Sequence, residues 1–299
     1  MAHADADLVF DFHADWVATL RAALTHLGYA SPTDDEDVYF AYFNVLKRLV
    51  PTRPRVVHEA PALRCPAEVQ AGYDVVKRKV EAGDDLRPHL SRKLARRDFN
   101  DLLLNDWGIH HLHLGTEVGA DGFVKRTGPV LFARFLPDDA YFITIEAHGA
   151  DESPWSNVEI LERFAKAWPA EMSRYELHGM APSRSGGGNP TNSDLALLRS
   201  KGAQVMIAID GKVYAPMGGG ITSSTMSAEV VMTADRCVWA VRGFEERVVA
   251  AKDEIVAKAM ARGIALGRPT HLKMIVREDG LAIAMTSDRR VHFELGRVT

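Results

Sequence analysis

The sequence predicts an α+β protein with a helical N-terminal region followed by antiparallel sheet(s) flanked by helices. Apolar residues recur at three- and four-residue intervals through roughly the first 105 residues, which is typical of amphipathic helices. From residue 108 onward, short apolar segments alternate with turn residues, as strands and hairpins do. Helices and hairpins come in runs and do not alternate strand by strand, which favours α+β over a doubly wound sheet.

Four helices account for the N-terminal region. The first carries Phe12, Trp16 and Leu20 on one face and stops at Gly28, and the third closes at Gly83. The four helices are expected at about residues 10–27, 35–50, 66–82 and 89–107.

Strands and shorter helices follow. The turn residues Pro137-Asp138-Asp139 predict one hairpin, and Asp210-Gly211 predicts a second. Strands are expected at about residues 108–116, 129–136, 140–147, 204–209, 212–215, 229–233, 271–276, 281–284 and 290–295, and helices at about 157–168, 193–200 and 243–261.

A loop rich in Gly, Ser and Pro at residues 181–192 is the best candidate for a boundary. The expected regions are therefore a helical part at 1–107, a sheet and helix at 108–184, and a C-terminal α+β part at 185–299. The C-terminal part at 185–299 can also belong to the same domain as the sheet and helix at 108–184.

Composition excludes several classes of protein. A net charge of −4 over 299 residues gives no general attraction to nucleic acid or to membranes. The two cysteines, Cys65 and Cys237, are too few and too far apart for a disulfide scaffold or a thiolate zinc site. No secretory signal and no apolar run of membrane-spanning length is visible, so the expected location is the cytoplasm, without membrane association.

The most informative motif is the strand with three histidines at residues 110–113. Side chains alternate between the two faces of a strand, so His111 and His113 share one face while His110 points to the other. Their backbones are expected about 7 Å apart, which suits two groups that flank a substrate or bind one metal. Arg134, Glu146 and His148 of the following hairpin are candidate partners in catalysis.

Three functions fit this cluster. The preferred hypothesis is cleavage of a phosphodiester, with the histidines as general acid and base and no cofactor. The first alternative is a hydrolase or oxygenase that uses a divalent transition metal held by His111, His113, His148 and Glu117. The second alternative is a module that binds a ligand or a protein without catalysis.

Basic residues lead into the histidine strand. Arg92, Lys93, Arg96 and Arg97 are expected on one flank of the fourth helix, and Arg126 follows the strand. The usual interpretation of such a cluster is a solvated helix face. Because these cations lie near the histidines, they are also compatible with contacts to a nucleic-acid backbone. RNA is therefore the expected partner, and a toxin or defence effector would also have a neutralising protein partner.

Two triple-glycine segments resemble phosphate-binding loops only in composition. Neither residues 186–188 nor residues 218–220 continue into the Lys-Ser/Thr of a Walker A motif. The second follows a predicted strand, so it is interpreted either as an anion-binding loop or as a flexible connection between strands.

Residues 100–114 (NDLLLNDWGIHHLHL), with residues 131–134, 141–143 and the pair His148-Gly149, resemble a bacterial family without an established activity. The resemblance extends over about residues 90–170 and implies no reaction. Residues 111–117 are also similar to the first motif of cupins, although the flanking glycines and the Pro-x-Gly of that family are absent. At the level of the fold, a small sheet with flanking helices resembles compact ribonuclease toxins of toxin–antitoxin systems.

Overall fold

The computed structural model describes residues 8–147, 156–182 and 189–298. Helix makes up 42% and strand 20%, and the sheets are mixed or antiparallel, which confirms the α+β class. The chain forms two compact units, one of residues 1–43 with 231–299 and one of residues 44–230. The boundaries expected near residues 107 and 185 both fall inside the second unit.

The helices of the described residues are α1 (Phe12–His26), α2 (Asp35–Arg48), α3 (Gln70–Ala82), α4 (Leu102–Trp107), α5 (Glu159–Ala167), α6 (Pro169–Ser173), α7 (Asn192–Ser200), α8 (Ala228–Ala250) and α9 (Lys252–Ala261). The strands are β1 (Leu8–Val9), β2 (Val56–Glu59), β3 (His110–His113), β4 (Pro129–Phe135), β5 (Asp139–Ala147), β6 (Ile207–Ile209), β7 (Lys212–Tyr214), β8 (Thr270–Val276), β9 (Leu281–Thr286) and β10 (His292–Arg297). The boundaries of α1, β4, β5 and β8 agree with the sequence-based prediction to within two or three residues. The end of α3 also agrees, but this helix begins later than predicted, after a short 3₁₀ turn.

The first unit contains a four-stranded sheet in the order β1-β8-β9-β10. Strand β1 pairs in parallel with β8, and the other neighbours are antiparallel. Helix α1 is tied to distant parts of this unit because Asp15 accepts a hydrogen bond from the backbone of Met274 (2.7 Å), and Glu245 accepts one from Phe12 (2.8 Å).

The second unit is built on a sheet in the order β2-β5-β4-β3, and β6 and β7 form a separate hairpin. Alternation along β4 places Val130 and Phe132 in one apolar cluster, and Leu131 and Ala133 in another. Both faces of this sheet are therefore buried. Strand β2, which pairs in parallel with β5, was missed because it is only four residues long and lacks an apolar alternation.

The predicted helix over residues 89–107 is wrong. The chain instead makes 3₁₀ turns at Arg87–His89 and Arg92–Ala95 and becomes α-helical only in α4. The reason is the buried guanidinium of Arg48, which donates to the carbonyl oxygens of Arg96 (2.8 Å), Lys93 (3.3 Å) and Arg97 (3.3 Å). A continuous helix would have used carbonyl oxygens of this segment for its own amides.

The predicted strand over residues 229–233 is also wrong, because this segment belongs to α8. Buried side chains recur at helical spacing from its first turn to its end, at Val230, Ala234, Cys237, Val241, Phe244 and Val248. The single helix expected at 243–261 is accordingly the end of α8 followed by α9. Within the described residues, no helix is both long enough and apolar enough to cross a membrane.

Candidate functional site

Strand β3 lies at the edge of the sheet in the second unit and follows directly from α4. Gly108 ends this helix in the left-handed region (φ 68°), where glycine is favoured, and its amide donates to Leu104 (2.9 Å). After this turn β3 begins at His110, and it ends at His113, so it is shorter at both ends than the strand expected over 108–116. In the register with β4, His111 lies opposite Phe132 and His113 opposite Val130.

The rings of His111 and His113 lie on the same face of the sheet, as the alternation of a strand requires. Their centroids are 5.9 Å apart and the ring planes are nearly perpendicular, at 82°. His110 points to the opposite face, where it makes an edge contact with Phe135 (5.4 Å). Burial lowers the pKa of His110 to about 3, so this ring is neutral near neutral pH.

A cavity of about 310 Å³ opens in front of the two rings. We call it the histidine pocket. Part of its wall comes from the start of α4, part from α7, and part from the irregular segment before α4. The lining residues are Ser91, Lys93, Phe99, Asn100, Asp101, Leu102, Leu103, His111, His113, Arg126, Ser156, Ala196 and Arg199. The structure thus brings together four of the predicted site residues, namely His111, His113, Lys93 and Arg126.

Lys93 and Arg126 give the pocket its exposed positive charge. Among the described residues, neither side chain has a carboxylate within ion-pair distance, and the Lys93 ammonium lies 4.8 Å from the ring centre of Phe99. Both cations can therefore interact with an anionic ligand without first breaking a salt bridge. This arrangement is typical of sites that bind phosphate.

Asp101 is the acidic residue of the pocket, and the sequence did not single it out as a site residue. Its carboxylate caps α4 by accepting a hydrogen bond from the amide of Leu104 (3.1 Å). Burial raises the pKa of Asp101, while the hydrogen bond to the backbone opposes that shift. The sequence predicts a helix over residues 89–107 with Asp101 inside it, so the position of Asp101 at the start of a helix is visible only in the structure.

Arg199 of α7 reaches the pocket wall but is already neutralised. Its guanidinium lies 2.6–2.7 Å from a carboxylate oxygen of Asp106 and 3.9 Å from the ring centre of Trp107. Asp106 also accepts a hydrogen bond from Gln204 (2.6 Å). The pair is almost fully buried, so Arg199 joins α7 to α4 and shapes the pocket without adding net charge.

His89 is hydrogen-bonded to the backbone of strand β3. It is buried, and its Nδ1–H donates to the backbone carbonyl of His113 (2.9 Å), because a carbonyl oxygen can only accept. Burial lowers the pKa of His89. His89 lies 24 positions before its partner and outside the predicted strand, so no local pattern in the sequence marks it.

Two predicted catalytic residues lie outside the lining of the pocket. Arg134 is buried, and its guanidinium donates to the hydroxyl of Tyr175 (2.6 Å) and to the backbone carbonyl of Trp107 (3.2 Å). Glu146 lies in the same row of the sheet as His113 but two strands away, which is about 10 Å. Its carboxylate lies 3.4 Å from the guanidinium of Arg163.

The basic residues predicted to bind nucleic acid do not share one helical flank, because the helix is broken. Arg92 pairs with Asp121 (2.7 Å) and Arg96 with Asp98 (3.3 Å). The backbone carbonyl of Arg97 accepts hydrogen bonds from Asn44 (3.0 Å) and Arg48 (3.3 Å). Of the five predicted cations, Lys93 and Arg126 are the two that line the pocket.

The metal-binding alternative is based on four residues. Glu117 is exposed in the loop after β3, and His148 lies outside the described residues. Across residues 8–147, 156–182 and 189–298, the structure contains no group of three or more His, Cys, Asp or Glu side chains arranged to hold a metal ion.

The glycine segment at 218–220 acts as a connection and not as an anion-binding loop. The amide of Gly218 donates to the carbonyl of Asp106 (2.8 Å) and that of Gly220 to Asn105 (3.0 Å), both at the end of α4. The amide of Gly219 donates to Pro216 (3.1 Å). No amide of this segment is left for an anion. The other triple glycine, at 186–188, lies outside the described residues.

No protein-family model, no curated protein and no solved structure matches this chain. What the fold and the site define is therefore a class of protein, an α+β protein with two adjacent histidines in a partly cationic pocket at a sheet edge. The function has to be argued from the chemistry of that pocket.

Proposed function

We propose that the histidine pocket cleaves phosphodiester bonds of single-stranded RNA by general acid–base catalysis. The observation that carries the proposal is the pair of adjacent rings of His111 and His113 on one face of the sheet, whose centroids are 5.9 Å apart. They lie in a cavity lined by Lys93 and Arg126, two cations without an ion-pair partner among the described residues. The cavity volume of about 310 Å³ is sufficient for a small part of a nucleotide chain.

The chemistry needs one neutral and one protonated imidazole. The neutral ring removes the proton of a 2′-hydroxyl while that oxygen attacks the adjacent phosphorus. The protonated ring gives its proton to the 5′-oxygen as the bond between phosphorus and that oxygen breaks. The products are a 2′,3′-cyclic phosphate and a 5′-hydroxyl, and the two rings exchange protonation states. The rate should therefore pass through a maximum as pH is varied.

The separation of the rings suits this reaction. Since the two rings lie next to each other on one face of the strand, nitrogens of both would reach oxygens of one phosphate bound in the cavity in front of them. Positive charge from Lys93 and Arg126 would stabilise the additional negative charge that develops on the phosphate oxygens. His89 would act as a positioning residue, since it holds the backbone of His113.

RNA is favoured over DNA because this mechanism uses the 2′-hydroxyl as its nucleophile. The contact with the strand is expected to be short, since Arg92 and Arg96 are already paired with aspartates. With about two phosphates neutralised, the logarithm of the binding constant should fall with the logarithm of salt concentration with a slope of about −1.4.

The test is cleavage of a labelled single-stranded RNA by the full chain in the presence of EDTA. We expect a 2′,3′-cyclic phosphate product, and a loss of rate of about 100-fold or more in His111→Ala and in His113→Gln. The glutamine keeps hydrogen-bonding capacity at the more buried position. A strand in which every 2′-hydroxyl is replaced by hydrogen should not be cleaved.

The matched control is His271→Ala, which changes an exposed histidine of the other unit and should leave the rate unchanged. Equal cleavage by the wild type and both pocket variants would show that the activity comes from elsewhere. Cleavage that EDTA abolishes would favour the metal-dependent alternative. If well-folded wild-type protein does not cleave RNA, the proposed reaction is wrong.

A further inference from the structure

A second cavity, of about 420 Å³, lies within the first unit between strand β10 and the helices α8 and α9. We call it the edge groove. All six consecutive residues 290–295 line it. A cavity over one face of a strand touches only alternate residues, so this cavity runs along the edge of β10.

The backbone of β10 is open along that edge. This strand is the last in the order β1-β8-β9-β10, and among the described residues no other strand pairs with it. The amide and the carbonyl of Val291 both bond to Thr286, so they face β9. By alternation, the backbone groups of His292 and Glu294 point away from β9, toward the open edge. A strand added at this edge would find donors and acceptors in place.

The groove carries an excess of positive charge. Its charged side chains are four cations, Arg247, Lys258, Arg262 and Arg290, and two carboxylates, Glu254 and Glu294. Glu254 is paired with Lys258 (2.5 Å), and Arg247 donates to the carbonyl of Leu295 (2.6 Å). Among the described residues, Arg262 and Arg290 have no carboxylate within ion-pair distance. They are the cations available to a ligand.

We propose that the edge groove binds an extended acidic peptide segment of a partner protein. The peptide adds to β10 as a further strand through the backbone of His292 and Glu294, and its apolar side chains pack against Ile255 and Phe293. Its carboxylates lie against Arg262 and Arg290. Since the carbonyl of Leu295 is already occupied by Arg247, pairing ends before that residue. The proposal is independent of the reaction in the histidine pocket.

The probe is a displayed library of random ten-residue peptides, selected on the immobilised full chain. Enriched sequences are then synthesised and their affinity is measured by fluorescence anisotropy. We expect acidic peptides, with a Kd that rises by about tenfold in Arg290→Glu and in Arg262→Glu. Glu294→Gln should lower the Kd, because it removes a carboxylate from the groove. Hydrogen exchange should slow at residues 292–294 when peptide is bound.

The matched control is Arg268→Glu, which makes the same change of charge at an exposed residue outside the lining of the groove. A similar loss of affinity in that variant would show a general charge effect and overturn the proposal. So would a selection without enriched acidic peptides, or bound peptides that leave exchange at 292–294 unchanged. Dimerisation of the chain that Arg290→Glu abolishes would assign the edge to a second copy instead.

Discussion

At the residue scale, the buried ion pair of Asp106 and Arg199 bears directly on stability. Both side chains are nearly inaccessible to solvent, and Trp107 covers the guanidinium. Charges of this kind are costly to bury, and their attraction offsets the cost only while both partners are present. Removing one of them leaves the other buried without a countercharge, and a hydrogen bond such as that from Gln204 to Asp106 does not replace it.

We therefore expect Arg199→Met to lower the free energy of unfolding by about 3–5 kcal/mol. The double variant Asp106→Leu/Arg199→Met should lose less than the single variant, because no charge is then left buried. Urea unfolding measures both. The control is Arg163→Met, which breaks the partly exposed contact with Glu146 and should cost about 1 kcal/mol or less. A double variant less stable than Arg199→Met would contradict the argument.

His110 makes the stability of the folded protein depend on pH. In the described structure neither of its ring nitrogens has a hydrogen-bond partner, and burial lowers its pKa to about 3 from an ordinary value of 6.5. Between these values the unfolded chain binds a proton that the folded chain does not bind. His110 therefore lowers stability as pH falls below 6.5, with a slope of up to about 1.4 kcal/mol per pH unit.

The variant His110→Phe removes this titration and keeps an aromatic ring against Phe135. We expect equal or higher stability at pH 7, since two unpaired polar atoms are lost. The unfolding free energy should also depend less on pH between 6.5 and 4. Unfolding curves measured across that range test both points, and an unchanged dependence on pH would show that His110 is not the titrating group.

At the element scale, the end of α4 depends on the glycine connection at 218–220. Gly218 lies so close to this helix that an added Cβ would be 2.5 Å from the amide nitrogen of Gly108 and 2.7 Å from the carbonyl oxygen of Asn105. Contacts with backbone atoms cannot be relieved by rotating a side chain. The position thus requires glycine for space and not for a positive φ.

We expect Gly218→Ala to cost about 3 kcal/mol or more in unfolding free energy, as severe overpacking does. Gly128→Ala is the matched control, since Gly128 has no positive φ and no atom within 4 Å of an added Cβ. Its effect should be small. Thermal and urea unfolding of both variants provide the comparison, and equal losses would mean that the close approach to α4 is not what requires glycine.

Some helices and strands can be predicted from the local sequence, and others depend on contacts with distant residues. Helix α1 and strands β4 and β5 have a clear periodicity and clear turn residues, so local sequence predicts them. The helix expected over 89–107 failed because Arg48, more than 40 residues away in sequence, binds the carbonyls of that segment. A hydrogen bond from a distant side chain leaves no trace in local periodicity.

At the scale of the whole molecule, the first unit combines both ends of the chain. Leu8 pairs with Thr270, and Phe12 donates to Glu245, across more than 230 residues of sequence. The second unit, by contrast, is continuous and contains the whole histidine pocket. Pairing between segments this far apart in sequence is a property of the folded chain, and a boundary predicted from local composition does not contain it.

The sequence by itself determined the α+β class, most helix and strand positions, and the shared face of His111 and His113, because all of these follow from local periodicity. Only the tertiary structure decided which residues meet those histidines. It placed Lys93, Asp101, Arg126 and Arg199 around the pocket and assigned Arg134 and Glu146 to other partners. The reason is that contacts between elements depend on register, on turns and on long-range hydrogen bonds, and these are properties of the folded chain.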